Sequence, residues 1–380
     1  MKINKWTAGL AAVGLVSLAS VAQAEETSTP LMTSLSSTVI SGYVDVSAVW
    51  NPGTGNVVTP PVSFYGPAKT DGFNLNVVNL TLEKPLDEGQ WSAGYKAELL
   101  FGPDAVLYNP SANATDPGSD FSIKQAYVAL RAPVGNGLDL KVGTFDTIIG
   151  YESQASHRNP NYTRSYGYTL EPTQHTGVLA SYQFSDVVGA SFGVANTLTP
   201  GINARSPRAE SHKTYMGSLT LTAPESMGAL AGSALYLGVV DGFAGGTDDQ
   251  TSYYVGATVA TPVAGLRLGV AYDKVRDLGG AAHADVIALY ASFQATEKMS
   301  LHARGEYGDL DLPFGGAGHI RGYALTGTVQ YDLWQNVISR LEVRWDHIKQ
   351  SPVQFGGTPG GSPARKDNAF MVAANLVYVF

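Results

Sequence analysis

Arg340, Glu342, Arg344 and Asp346 stand at every second position of one segment, and His302, Arg304 and Glu306 do the same in another. Spacing by two puts each row on one face of a β-strand. Rows of this kind either pair across strands as ion ladders or line a wet passage and orient the solutes that cross it. Catalysis is poorly served by what else is present. Gly189-Ala190-Ser191-Phe192-Gly193 spells a nucleophile elbow, but that motif needs a strand-to-helix turn, and Ser191 lies inside an alternating segment. His175 with Ser181 is the one polar-face pair that could serve a barrel-embedded hydrolase. The seven histidines show no metal-ligand spacing, Asp309-Leu310-Asp311 lacks the rest of a calcium loop, and cysteine is absent. No catalytic residue, metal or cofactor is expected.

The elements that must position these rows are strands. From Trp91 to Phe101, the residues Trp91, Ala93, Tyr95, Ala97, Leu99 and Phe101 share an apolar face with aromatic ends, while Ser92, Gly94, Lys96 and Glu98 share a polar one. Period two predicts sixteen such strands, near 39–50, 73–84, 91–101, 121–132, 138–147, 173–184, 188–196, 214–223, 232–241, 251–261, 266–275, 284–294, 300–309, 321–334, 338–348 and 368–380. Most have the length of about 9 to 11 residues that a tilted strand needs to cross a bilayer, or slightly more. Short turns follow the even-numbered strands, as at Pro133–Gly137 and Gln335–Val337, and longer loops follow most odd-numbered ones. A sandwich has no reason to alternate in that way, whereas a transmembrane antiparallel β-barrel with short periplasmic turns and long extracellular loops requires it.

Composition agrees. Lys2 and Lys5 precede an apolar run from Ala8 to Ala19, and Ala22-Gln23-Ala24 closes it, so residues 1–24 read as a cleaved signal peptide. Without those two lysines the formal charge moves from −8 to −10, which argues against nucleic acid as a partner. Charged residues are only 15%, against 43 glycines and 20 tyrosines, which suits a surface that faces lipid. No apolar stretch of the mature chain approaches 18 residues, so helical spans are excluded. Residues 25–38 read as a periplasmic tail and 39–380 as one outer-membrane barrel. Rings at strand ends on the apolar faces fall into two girdles: Trp91, Phe184, Phe293, Tyr378 and Phe380 at the turn side, and Phe101, Tyr215, Tyr253, Tyr272, Tyr307, Trp345 and Phe370 toward the loops.

Lys124–Leu130 (KQAYVAL), Lys141–Glu152 (KVGTFDTIIGYE) and His175–Gln183 (HTGVLASYQ), with the signal peptide and terminal Phe380, resemble the OmpL-like outer-membrane β-barrel porin family of Gram-negative bacteria. The resemblance implies a passive channel without catalytic residues, assembled by the outer-membrane barrel assembly machinery, which reads the aromatic terminus.

If the apolar faces meet lipid, the polar faces line the lumen. The pore-lining candidates are Lys96, Glu98, Arg131, Lys141, Arg267, Arg304, Glu306, Arg340, Glu342 and Arg344. Sixteen strands enclose more space than side chains fill, which favours water inside. Lys124 falls on the apolar face by parity, where it would snorkel or meet lipopolysaccharide. The loop 148–172 is the most aromatic and basic, with Tyr151, Glu152, His157, Arg158, Tyr162 and Arg164. It either folds inward as a constriction, as the third loop of general porins does, or stays outside against lipopolysaccharide or a neighbouring subunit. The expected function is a water-filled channel for small hydrophilic solutes, embedded in outer-membrane lipid; a structural or partner-binding barrel is the alternative. A homo-oligomer is compatible with either.

Overall fold

The structure, a computed structural model, describes residues 37–53, 55, 69, 71–89, 91–108, 120–198, 202–205, 212–243, 249–278, 282–312, 318–350, 354–357, 361, 364 and 366–380. The expected signal peptide and all but the end of the expected tail lie outside the described residues, as do parts of the longer loops.

Sixteen strands follow in chain order: β1 Val39–Trp50, β2 Gly72–Lys84, β3 Ser92–Phe101, β4 Phe121–Ala132, β5 Leu138–Asp146, β6 Gln174–Gln183, β7 Val188–Ala195, β8 Thr214–Thr222, β9 Ala234–Phe243, β10 Asp249–Ala260, β11 Leu266–Leu278, β12 Ala282–Gln294, β13 Met299–Leu312, β14 Gly318–Trp334, β15 Val337–Gln350 and β16 Asn368–Val379. Each pairs antiparallel with its neighbours in sequence, and β16 closes on β1. Closure is what lipid demands, since an open edge would leave backbone groups unsatisfied at several kcal/mol each. It extends to the last residue: Gly42 and Phe380 exchange backbone hydrogen bonds, N–H to O at 2.9 Å in both directions.

Alternation is plain in β14. Tyr323, Leu325, Gly327, Val329 and Tyr331 are exposed, while Ala324, Thr326, Thr328 and Gln330 between them are buried. The outward residues carry the aromatic ends, with Trp91 and Phe184 exposed on the turn side and Tyr215, Tyr253 and Phe370 toward the loops. Tight turns need positive φ at few places; between β14 and β15, Asn336 takes it at 65° in a two-residue connection. The strands β11–β15 run past the expected ends at the loop side. At that rim polar side chains pair across strands, as where Asp309 on β13 meets His319 at 2.8 Å and Arg321 at 2.9 Å on β14.

One departure from strict alternation changes the lumen. Opposite Glu98 and Leu99 of β3, the register on β4 jumps from Gln125 to Ile123. The extra residue is Lys124, a β-bulge that turns it inward beside Gln125. Lys124 is therefore buried in the barrel rather than at the lipid surface, and it pairs with Glu98 and Asp146. A single inserted residue reverses the parity on which the outward expectation rested.

Candidate functional site: a loop pinned inside the barrel

The connection between β5 and β6, residues 147–173, crosses the lumen and is held there by two kinds of anchor. Its first turn is apolar. Ile148, Ile149 and Tyr151 are buried with Leu179, Val240, Tyr254 and Tyr290 of the wall, and Tyr151 stacks on Tyr290 with centroids 3.9 Å apart. Two inward-facing glycines make room. A Cβ on Gly238 would overlap the Ile149 side chain, and one on Gly269 would overlap the Tyr151 hydroxyl.

The second anchor is ionic and meets β13–β15. Arg304 on β13 reaches Glu152 of the loop at 2.6 Å and its strand neighbour Glu306 at 2.7 Å, and donates to the backbone carbonyls of Thr163 at 2.8 Å and Arg164 at 3.2 Å. Arg344 on β15 reaches Asp346 at 2.8 Å and Glu306 at 3.2 Å, donates to the Arg164 carbonyl at 2.9 Å, and lies over the Tyr166 ring. Glu342 runs the other way: its carboxylate accepts the backbone N–H groups of Tyr162 at 2.6 Å and Thr163 at 2.9 Å, and the Thr328 hydroxyl at 2.7 Å. Arg340 donates to the Asn159 carbonyl at 2.8 Å. Arg164 folds back on its own loop, donating to the carbonyls of Ser153, Gln154 and Tyr162. Arg164, Arg304 and Arg344 have no exposed surface, nor has Glu342.

Four arginines (164, 304, 340, 344) thus stand against four carboxylates (152, 306, 342, 346), with loop carbonyls and amides taking up the remaining donors and acceptors. Buried ions are tolerable only when so satisfied; removal of one partner from such a set costs about 3–5 kcal/mol. Local structure supports the geometry. Ser165 caps a short helix, α1, Tyr166–Leu170, by accepting the Tyr168 N–H at 3.1 Å, which turns the Tyr166 N–H toward Glu306 at 2.6 Å.

On the other side of the loop the lumen is not filled by side chains. A cavity of about 350 Å³ lies between it and the wall of β1–β6, where Lys96, Glu98 and Lys141 face His157, Arg158 and Glu171. His157 rests against the Tyr43 ring at 4.7 Å, and burial, then Arg158 and Arg340, push it down to about 3. Burial, then the Asp273 carboxyl, holds Glu171 well above the ordinary carboxylate range. The candidate residues therefore fall into three places. Arg304, Glu306, Arg340, Glu342 and Arg344 hold the loop that carries Glu152, Tyr162 and Arg164; Lys96, Glu98 and Lys141 line one cavity with His157 and Arg158; Arg131 and Arg267 stand apart. Arg131 is bidentate to Asp139 near the turn end, and Arg267 lines a second cavity of about 390 Å³ with Tyr151 and His302.

The structure does not bring His175 and Ser181 together. The ring of His175 faces the Thr197 carbonyl and the Thr147 hydroxyl, while Ser181 shares a hydrogen bond with Ser191 at 2.8 Å. Among the described residues, no group of His, Asp and Glu has the arrangement of a metal site. The residues that sequence reasoning missed are Gly238, Gly269 and Lys124. The glycines sit at inward strand positions where a side chain would be expected, which is a usable signal.

The family described as "Putative beta-barrel porin-2, OmpL-like" matches residues 37–380. No curated protein matches the chain significantly. Among solved structures, the chain is similar to the anion-selective porin from Comamonas acidovorans, with 15% identity, 90% of this chain and 99% of that one covered, and a TM-score of 0.58. It is also similar to the outer membrane channel DcaP of Acinetobacter baumannii, with 11% identity, 90% and 97% covered, and a TM-score of 0.59. The in-vitro folded OmpT of Vibrio cholerae in its trimer form matches at 13% identity, 90% and 99% covered, with a TM-score of 0.58. At such identities the structures attest the fold; the family match covers the whole barrel, and the chain belongs to that family of outer-membrane β-barrel porins.

Proposed function

We propose that this outer-membrane porin lets small hydrophilic solutes diffuse passively along one side of its lumen, between loop 147–173 and the wall of β1–β6. The observation that carries the reading is the loop's anchorage: buried ion pairs and backbone hydrogen bonds hold it to β13–β15, and a cavity of about 350 Å³ lies on its free side. The loop is then the constriction, with Glu152, Tyr162 and Arg164 as its fastenings and His157 and Arg158 at its wet edge. No residue is assigned a catalytic role. Outer-membrane lipid, lipopolysaccharide at the loop side and assembly machinery acting on Phe380 are the partners proposed, after export on residues 1–24. A homo-oligomer is included, supported by the trimer form named for the Vibrio cholerae structure.

Planar-bilayer recording with purified protein, joined to liposome swelling in sugars, tests this. Stepwise conductance is expected, with swelling rates that fall as the sugar grows. A folded protein that stays closed in both assays would favour the structural barrel.

A further inference from the structure

The cations facing the open cavity are not used alike. Lys124 is neutralised by Glu98 at 3.4 Å and by Asp146, and Glu98 also accepts from Asn79 at 3.0 Å and Gln125 at 2.7 Å. Lys96 lies 3.7 Å from both Glu83 and Glu98. Lys141, by contrast, has no carboxylate partner among the described residues. Its ammonium stands 5.0 Å from the centre of the Tyr127 ring, and the β5–β6 register sets Leu179 directly across from it. Arg158, exposed on the loop, lines the same cavity and also lacks a carboxylate partner among the described residues.

A narrow wet passage between low-dielectric walls focuses the field of any uncompensated charge and raises the local concentration of counter-ions. An ammonium set against a ring and a leucine adds a shape preference: it suits an anion whose body is apolar. We infer that Lys141 and Arg158 form an anion station in the passage, selecting small organic carboxylates over cations and neutral solutes. The carboxylate meets the two side-chain charges while its carbon body lies along Tyr127 and Leu179. This deepens the channel reading and rests on it. Lys96 and Lys124, already engaged with carboxylates, contribute less.

Reversal potentials across a potassium chloride gradient, followed by replacement of chloride with acetate or benzoate, test the station. The parent channel is expected to reverse on the anion side and to pass benzoate at least as readily as the smaller acetate. Lys141→Glu should shift the anion-to-cation permeability ratio toward cations by at least about fivefold, the scale of one close charge pair in water, and Lys141→Arg should keep it. Arg158→Glu, on an exposed loop position where folding is not at stake, should shift the ratio in the same direction. A cation-selective parent, or a Lys141→Glu channel of parental conductance with an unchanged ratio, overturns the station. Should Lys141→Glu fail to insert, an unchanged ratio in Arg158→Glu overturns it equally. A parent that conducts without selectivity sinks this inference alone, whereas a parent that never conducts sinks the channel reading and the inference with it.

Discussion

The wall of β13–β15 and the wall of β3–β5 both carry inward cations, yet they end in opposite situations. On the first, Arg304 and Arg344 are fully buried, each bonded to two carboxylates and to loop carbonyls. On the second, the cations that face the cavity are lysines, one of them with no carboxylate partner among the described residues. The difference follows from the side chains. A guanidinium offers five donors in a rigid fork and can satisfy carboxylates and carbonyls together when water is excluded; an ammonium is a compact, strongly hydrated point charge. One wall is built to hold a loop, and the other to face water.

Breaking the arginine wall should have the largest effect. Arg304→Ala leaves Glu152 buried without its arginine and Glu306 with Arg344 alone, and should destabilise the barrel by about 3–5 kcal/mol in thermal unfolding. Single-channel conductance should rise as the loop lifts; unchanged conductance would place the anchorage elsewhere. Glu342→Gln keeps the shape and removes the charge that two loop amides share. A loss of about 1.5–3 kcal/mol is expected, with a smaller rise in conductance. Gly269→Val attacks the apolar anchor by crowding Tyr151, at about 1–3 kcal/mol, and protease nicking within 147–173 should report it.

The smallest effect is a pH dependence at the wet edge. His157 is lowered from an ordinary 6.5 to about 3 in the folded protein, so its neutral form is the docked one. The stability it contributes is fully present above about 6.5 and is lost as pH falls toward about 3. Loop protection from protease should weaken over that window in the parent and weaken less in His157→Gln. Equal behaviour of the two would show that His157 does not set the pH response.

The strands were legible because a period of two needs only local composition, and closure follows from lipid. Trp91–Phe101 announces its two faces without knowledge of any neighbour. Lys124 was not legible, since one bulged residue reverses parity, and the bulge is set by the pairing of β3 with β4 rather than by the residues themselves. The pairing of Glu152 with Arg304 was equally hidden. The row Arg340–Asp346 shows charge at the right spacing, but it does not say whether water or a loop 180 residues away, as for Tyr162 and Glu342, will satisfy it. Gly238 and Gly269 were visible as glycines in strands, and their meaning appears only with the side chains that fill the space.

Because the chain has no cysteine, single cysteines can ask which wall is wet. Ser181→Cys lines the cavity on β6, and Thr326→Cys lies buried under the loop on β14. A charged methanethiosulfonate reagent added during single-channel recording should reduce the current through the first and leave the second unchanged. Block of Thr326→Cys with Ser181→Cys untouched would contradict the account.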